Sequence, residues 1–460
     1  MKILRFLLLS LLAMAVGTLP LLAAGAEEEA VEPEPASIEF WTTEEQPERM
    51  ERQQRIAEQF EAETGIAVEV VPVTEDLMGE RVTAAFAAGE LPDVIYHPLA
   101  YTLTWMDAGV LDSIAATEVV RDLGERTFTE GVLDLVMVDG EYAGVPADGW
   151  AQLMVYRADL FEEHGLAPPN TYESILEAIE VFHNPPEMHG IVAATDASQI
   201  YMMQVFEHIA LANGADVVDE DGNITINTPE MREAFEFYKQ LAEASPPGDL
   251  YWQHSRDIYH DGGTPMIVWS PFILHGLAGL RDGVPVTMFD DPTTDELARI
   301  TGFETSLAGP SNPGGAGWAD VRYFGITVDA DIEAAQRFVE YKMSDAYLDT
   351  LEVAAVGKHP VRLGTPAEPN LYVDGWADLE IGEDRFGTMS DFYDPDVIQS
   401  IFDGLDTGTR WAYEKGYGEV NAVLYETRIV AEILREYLDG EHTVDEALEI
   451  LQEEVERLVD

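Results

Sequence analysis

The sequence predicts an α/β fold, and three observations near its start carry that prediction. Residues 38–41, 67–73 and 93–96 are short apolar runs of strand character. Between them lie two segments of helical period, with Ile56, Ala57 and Phe60 on one face of the first and Val82, Ala85 and Phe86 on one face of the second. Each segment stops at a glycine, Gly65 or Gly89, able to take a positive φ and close a helix. Strand, helix, strand, helix, strand in succession predicts a parallel sheet with crossover helices. Ligands bind beyond the carboxyl ends of such strands, which puts Tyr96 and His97 where a ligand would sit.

The remaining elements follow in order. Pro47 opens the first helix, Pro92 blocks continuation of the second, and Asp93 leads into the third strand. Asp139-Gly140 is a tight-turn dipeptide, and Val145-Pro146 forces an extended backbone ahead of the apolar segment 153–156. Leu160 and Phe161 belong to a short helix ending at Gly165. Thr171 caps the next, with Ile175, Ile179 and Phe182 facing inward. Residues 217–226 form a hairpin around Asp221-Gly222, and Pro229 begins a long helix. Residues 266–269 are a buried strand. Residues 306–318, rich in Gly and Pro, read as a loop, with 314–317 its flexible run, before a strand over 321–328. The region after Pro369 is mostly helical and closes with a helix over 444–459. No internal repeat is present.

Composition bounds the function. The chain of 460 residues holds 88 acidic and 25 basic residues, a formal charge of −63. Such a field repels nucleic acid and anionic membranes, and neither is expected as a partner. It also strains the compact state unless salt screens it, so a saline habitat is the simplest account, an ordinary acidic exported protein the alternative. Cysteine is absent, which excludes disulfides, thiolate metal sites and a thiol-linked lipid. Lys2 and Arg5 before the apolar run 6–22, then Ala24-Gly25-Ala26, predict a secretory signal peptide over 1–26, cleaved near Ala26. An uncleaved anchor is the rival, weakened by Gly17 and Pro20. Residues 27–37, acidic with Pro33 and Pro35, read as a disordered linker. Export without a lipidated cysteine points to the periplasm.

Several stretches recur in a telling order: a first strand ending in Trp41, the turn at 60–65, residues 88–96, 107–111, 139–146, 156–161, 234–238, 266–269 and 443–448. Together they resemble the extracellular solute-binding proteins of ABC importers, in the sugar-binding branch that includes maltose-binding protein. The resemblance implies a periplasmic-binding-protein fold: two lobes, each a mostly parallel sheet flanked by helices, with hinge segments and a helical C-terminal region. The lobes would be 38–146 with 318–361, and 147–317 with 362–460. The chain would cross near 145–149, 317–321 and 360–364. On that resemblance a monomer would close on its ligand and deliver it to membrane permease subunits, with no cofactor and no catalytic or metal residues expected.

A sugar offers apolar faces for aromatic rings and hydroxyls for carboxylates and amides. By position, the resemblance assigns Thr43, Glu44 and Glu45 to the turn after the first strand, against a merely solvated acidic turn. It assigns His97 to a stacking position, against a surface histidine, and adds Tyr96. Asp148 and Trp150 follow the first crossing. Trp269, Ser270 and Phe272 end a strand of the second lobe, and Trp318 lies on the second crossing among glycines. Arg362 near the third could chelate hydroxyls or a carboxylate, against a salt bridge to the acid excess. Tyr201, and less directly Tyr425, complete the set.

Other chemistries find less support. Asp219, Asp221, Asn223 and Glu230 have calcium-loop spacing, but Ile224 stands where glycine is required. His183, Glu187 and His189 are interrupted by Pro185-Pro186. Phosphate-loop, nucleophile-elbow and zincin motifs are missing. The expected ligand is a small-molecule carbohydrate or glycoside. The alternatives are a glycoside hydrolase, which needs two suitably spaced carboxyls, and a binding protein for a non-sugar compatible solute or polyol.

Overall fold

The computed structural model describes residues 37–459. The expected signal peptide, 1–26, and nearly all of the expected linker lie outside the described residues. Ser37, at the end of the expected linker, already pairs with Ala67 in a strand. Among the described residues no helix is long and apolar enough to cross a membrane.

The strands that position the site are β1 (Ser37–Thr42), β2 (Ala67–Pro72), β3 (Val94–Pro98), β4 (Val145–Ala151), β5 (Leu153–Arg157), β6 (Met266–Trp269), β7 (Thr301–Glu304), β8 (Ser306–Gly309), β9 (Asn312–Ile326) and β10 (His359–Pro360). The larger sheet runs β10-β4-β9-β3-β1-β2, with β8 and the short strand Gly408–Thr409 also pairing to β9. Its β1, β2 and β3 are parallel, joined by the helices Pro47–Thr64 and Glu75–Ala88 as the sequence predicts. Gly89 ends the second of these at φ 68°.

The second sheet, β6-β5-β7, is antiparallel rather than parallel. For β7 the reason is topological. β4 and β5 carry the chain out of the first sheet, whereas β7, β8 and β9 bring it back, so outbound and returning segments run in opposite senses. The same argument makes β9 antiparallel to β4.

One expectation fails at β9. The Gly- and Pro-rich residues 306–318 are not a loop: they form β8 and the first half of a fifteen-residue strand. Glycine is used there for close approach, not for flexibility. A Cβ on Gly315 would stand 2.6 Å from the Leu307 carbonyl oxygen, at φ 71°. Glycine inside a strand marks such a backbone contact as readily as it marks a loop.

The two largest apolar cores flank the sheets. Phe40, Phe60, Val94, Val119, Phe324 and Phe338 fill the first, with Phe338 edge-on to Phe40 and Phe60. Met154, Phe206, Phe235, Trp318, Trp411 and Leu451 fill the second, where Phe206 meets Phe235 and Trp411 edge-on. Each buried Phe contributes about 1.5–3 kcal/mol by leaving water. Thr171 and Ser174 cap the helix Tyr172–Phe182 reciprocally, and Asp219 accepts from the backbone N–H groups of Asp221 and Asn223, making that segment a turn.

Candidate ligand cleft

Strand register assembles the site. Trp318, Asp320 and Arg322 occupy alternate positions of β9 and share one face, as Asp148 and Trp150 do on β4. The pairing sets Asp320 opposite Trp150 and Arg322 opposite Asp148. The Trp150 and Trp318 rings lie 5.0 Å apart.

A narrow cavity of about 40 Å³ adjoins this face. Glu75 and Pro98, beyond the ends of β2 and β3, line it together with Gln204, Trp318, Asp320, Arg410 and Tyr425. Arg322 pairs with Glu75 at 3.1 Å and Asp320 at 3.2 Å. Arg410, just after the strand Gly408–Thr409, pairs with Glu207 at 3.0 Å and Asp320 at 3.5 Å. Its guanidinium lies over the rings of Trp318 and Tyr425, 4.6 and 4.7 Å from their centroids. Glu207, fully buried, also accepts from Trp318 Nε1, the Trp411 backbone N–H, Asn421 Nδ2 and the Tyr425 hydroxyl. Burial alone would lower the pKa of Arg410, but Glu207, Tyr425 and Asp320 together outweigh it and raise the value. Burial raises the pKa of Asp320, and Arg322 and Arg410 offset this only in part.

A second charged cluster surrounds Lys358, which stands 2.8 Å from Glu44 and 3.3 Å from Asp148. Lys358 also donates to the Tyr96 hydroxyl, which in turn donates to Asp148 at 2.8 Å. Arg49 is a second cation on Glu44, at 2.8 Å, and lies 5.4 Å from the Phe272 ring. Burial would raise the Glu44 pKa, yet Lys358 and Arg49 hold it at about 2. Phe272 sits so close to Gly357 that a Cβ there would meet its ring at 2.2 Å, so the segment carrying Lys358 needs glycine at that point.

The structure thus gathers Glu44, Tyr96 and Asp148 around Lys358, and Trp150 and Trp318 on the β4–β9 face, with Phe272 tied in through Arg49. Thr43 is half-buried beside them. Glu45 is exposed and accepts from the Thr74 hydroxyl at 2.8 Å. Ser270 is buried, and the half-buried Trp269 stacks on Trp252 at 5.3 Å.

Three candidates lie elsewhere. His97 is fully buried against Trp105 and Tyr323, because strand alternation turns it away from the face that carries Tyr96. Burial lowers its pKa to about 4, so it stays neutral. Tyr201 is buried and donates its hydroxyl to the Val268 carbonyl at 2.5 Å. Arg362 donates to Thr127 Oγ1 at 3.1 Å, to the Leu123 carbonyl at 2.9 Å and to the Met343 carbonyl. It ties together the ends of the helices Ser113–Leu123 and Ile332–Lys342 and, among the described residues, pairs with no carboxylate.

Sequence reasoning missed Lys358, Asp320, Arg322, Arg410 and Glu207. The alternation Trp318-Asp320-Arg322 was a readable signal, hidden by taking the preceding residues as loop. Lys358 is one of only five lysines, four residues from the arginine chosen instead. Glu207 and Arg410 carry no local signal: they meet across some two hundred residues.

Comparison with known proteins agrees with this architecture. The chain is 30% identical over 274 residues to a putative ABC transporter periplasmic-binding protein, YcjN, of Escherichia coli, covering 59% of this chain and 63% of that protein. It is therefore matched to less than two thirds of that relative's length. It is 24% identical over 343 residues to the mannitol-binding protein of Pseudomonas aeruginosa, 73% of each chain. Among solved structures it resembles maltose-bound MalE3 of T. maritima with a TM-score of 0.71 at 20% identity, over 92% of this chain and all of that one, which shows a two-lobed α/β fold. The family of bacterial extracellular solute-binding proteins matches residues 55–370, and the chain belongs to that family.

Proposed function

We propose that the protein is the periplasmic substrate-binding component of an ABC importer, capturing a carbohydrate or polyol between two lobes and delivering it to membrane permease subunits. The observation that carries this reading is the composition of the cavity wall: the Trp318 and Tyr425 rings beside the carboxylates of Glu75 and Asp320 and the Gln204 amide. Rings suit the apolar faces of a sugar, and carboxylates and amides suit its hydroxyls. The mannitol-binding and maltose-bound relatives support the same ligand class.

The lobes of this reading are residues 38–146 with 318–361, and 147–317 with 362–460. Because β4 pairs within the first sheet as far as Ala151, this reading shifts the first crossing from 145–149 to near Gln152 and assigns 147–151 to the first lobe. A cavity of about 40 Å³ has room for only a few waters, each needing about 10–15 Å³ of such space. Entry of a sugar therefore requires a hinge motion that parts the walls. The protein works as a monomer, exported by a signal peptide cleaved near Ala26, and it performs no turnover.

Thermal-shift screening of sugars, glycosides and polyols at high salt tests the proposal. A ligand at 100 times its dissociation constant adds about 2.7 kcal/mol to stability. Absence of any shift defeats the ligand class, and hydrolysis of a glycoside during incubation defeats the receptor reading in favour of a hydrolase.

A further inference from the structure

Every cation along the candidate cleft already has a carboxylate of the chain against it. Arg322 has Glu75 and Asp320; Arg410 has Glu207 and Asp320; Lys358 has Glu44 and Asp148; Arg49 has Glu44. Arg362, the cation that sequence reasoning offered for an acidic ligand, is spent on backbone carbonyls away from the cavity. Asp320 differs from the other carboxylates in its position. It is buried, it lines the cavity, and its two oxygens divide between two guanidiniums, Oδ2 toward Arg322 and Oδ1 toward Arg410. A ligand carboxylate or phosphate would seek that same place between two arginines.

We infer that Asp320 is a specificity-determining residue: as the resident anion between Arg322 and Arg410, it restricts the cleft to uncharged polyhydroxy ligands and turns away sugar acids and sugar phosphates. The inference rests on the proposed carbohydrate or polyol site and deepens it. The physics is that of selectivity by repulsion. An anionic ligand at this wall meets Asp320 and Glu75 with no uncompensated cation, and like charges at close quarters in a site shielded from water are strongly unfavourable. An uncharged sugar meets the same carboxylates as acceptors for its hydroxyl protons. Cationic osmolytes gain little, because the Trp318–Tyr425 pair that would cage a quaternary ammonium already holds Arg410.

The test is calorimetric titration of the full chain with mannitol, maltose and glucose, then with glucuronate, galacturonate and glucose 6-phosphate, at one fixed ionic strength. The wild type should bind at least one uncharged compound, with the acids weaker by about tenfold or more, a difference of 1.4 kcal/mol. Asp320→Asn should narrow that gap by about tenfold, through a gain in affinity for an acid. Should Asp320→Asn fail to fold, Glu75→Gln, on the less buried side of Arg322, carries the same expectation with a smaller gain. Two results overturn the inference but leave the receptor reading intact: a wild type that binds an acid as well as its uncharged counterpart, or a folded variant that gains nothing for any acid. A wild type that binds no member of the panel overturns both.

Discussion

Arg362 and Arg410 are both buried arginines, yet they do opposite work. Arg362 faces neutral acceptors, the Thr127 hydroxyl and the carbonyls of Leu123 and Met343, and burial lowers its pKa. Arg410 faces Glu207 and Asp320 between two aromatic rings, and those carboxylates together with Tyr425 more than reverse the effect of burial. One is a fastener between helix ends; the other is part of a cavity wall. The difference teaches that an arginine's role is set by its partners, and that partners of this kind come from distant parts of the chain.

The contrast can be broken by substitution. Arg410→Met leaves Glu207 buried without its cation and should cost about 3–5 kcal/mol in urea unfolding, together with ligand affinity. Arg362→Met removes donors but strands only neutral acceptors. It should cost about 1–3 kcal/mol and leave affinity unchanged. Equal costs, or loss of affinity in the second variant alone, would show the partner argument to be wrong.

Acid titration sharpens the comparison on the side of the first sheet. The Glu44 pKa is about 2 in the folded chain against an ordinary 4.5. A depressed carboxyl contributes stability in full above its unfolded pKa and loses it as pH falls from about 4.5 toward 2, on the order of 3 kcal/mol in all. Glu44→Gln should flatten that part of the stability profile. His97, His208, His260 and His359 are lowered to about 4 by burial. The unfolded chain takes up their protons first, so stability should already decline as pH drops below about 6.5. A melting temperature that holds constant from pH 7 to 5 would contradict this.

The smallest effect belongs to the exposed acid excess. Surface repulsion at −63 is screened over about 3 Å at 1 M salt, so the melting temperature should rise between 0.1 and 1 M sodium chloride. The buried clusters at Arg410 and Lys358 are screened far less, so the cost of Arg410→Met should change little with salt. A cost that shrinks as salt rises would place that pair at the surface.

The fold was largely legible in the sequence. Helical period, proline starts and glycine stops located the helices Pro47–Thr64 and Glu75–Ala88 and the strands around them. The candidate site was legible only through the resemblance, which offered Glu44, Tyr96 and Asp148, the residues that meet around Lys358. It was lost at β9, where glycines that serve close approach looked like a loop. His97 misled for a related reason: the end of a strand is a good address for a ligand, but alternation sends adjacent side chains to opposite faces.

The sequence by itself determined the elements, the acidic surface and the order of signatures that marks the family, because period, charge and turn chemistry are local properties. The tertiary structure alone decided which charges meet. Glu207 with Arg410, Glu44 with Lys358 and Asp148 with Tyr96 are pairings across long stretches of chain. Burial then fixes their effect, since a charge out of water must find its partner within a few ångströms, and only the fold brings that partner there.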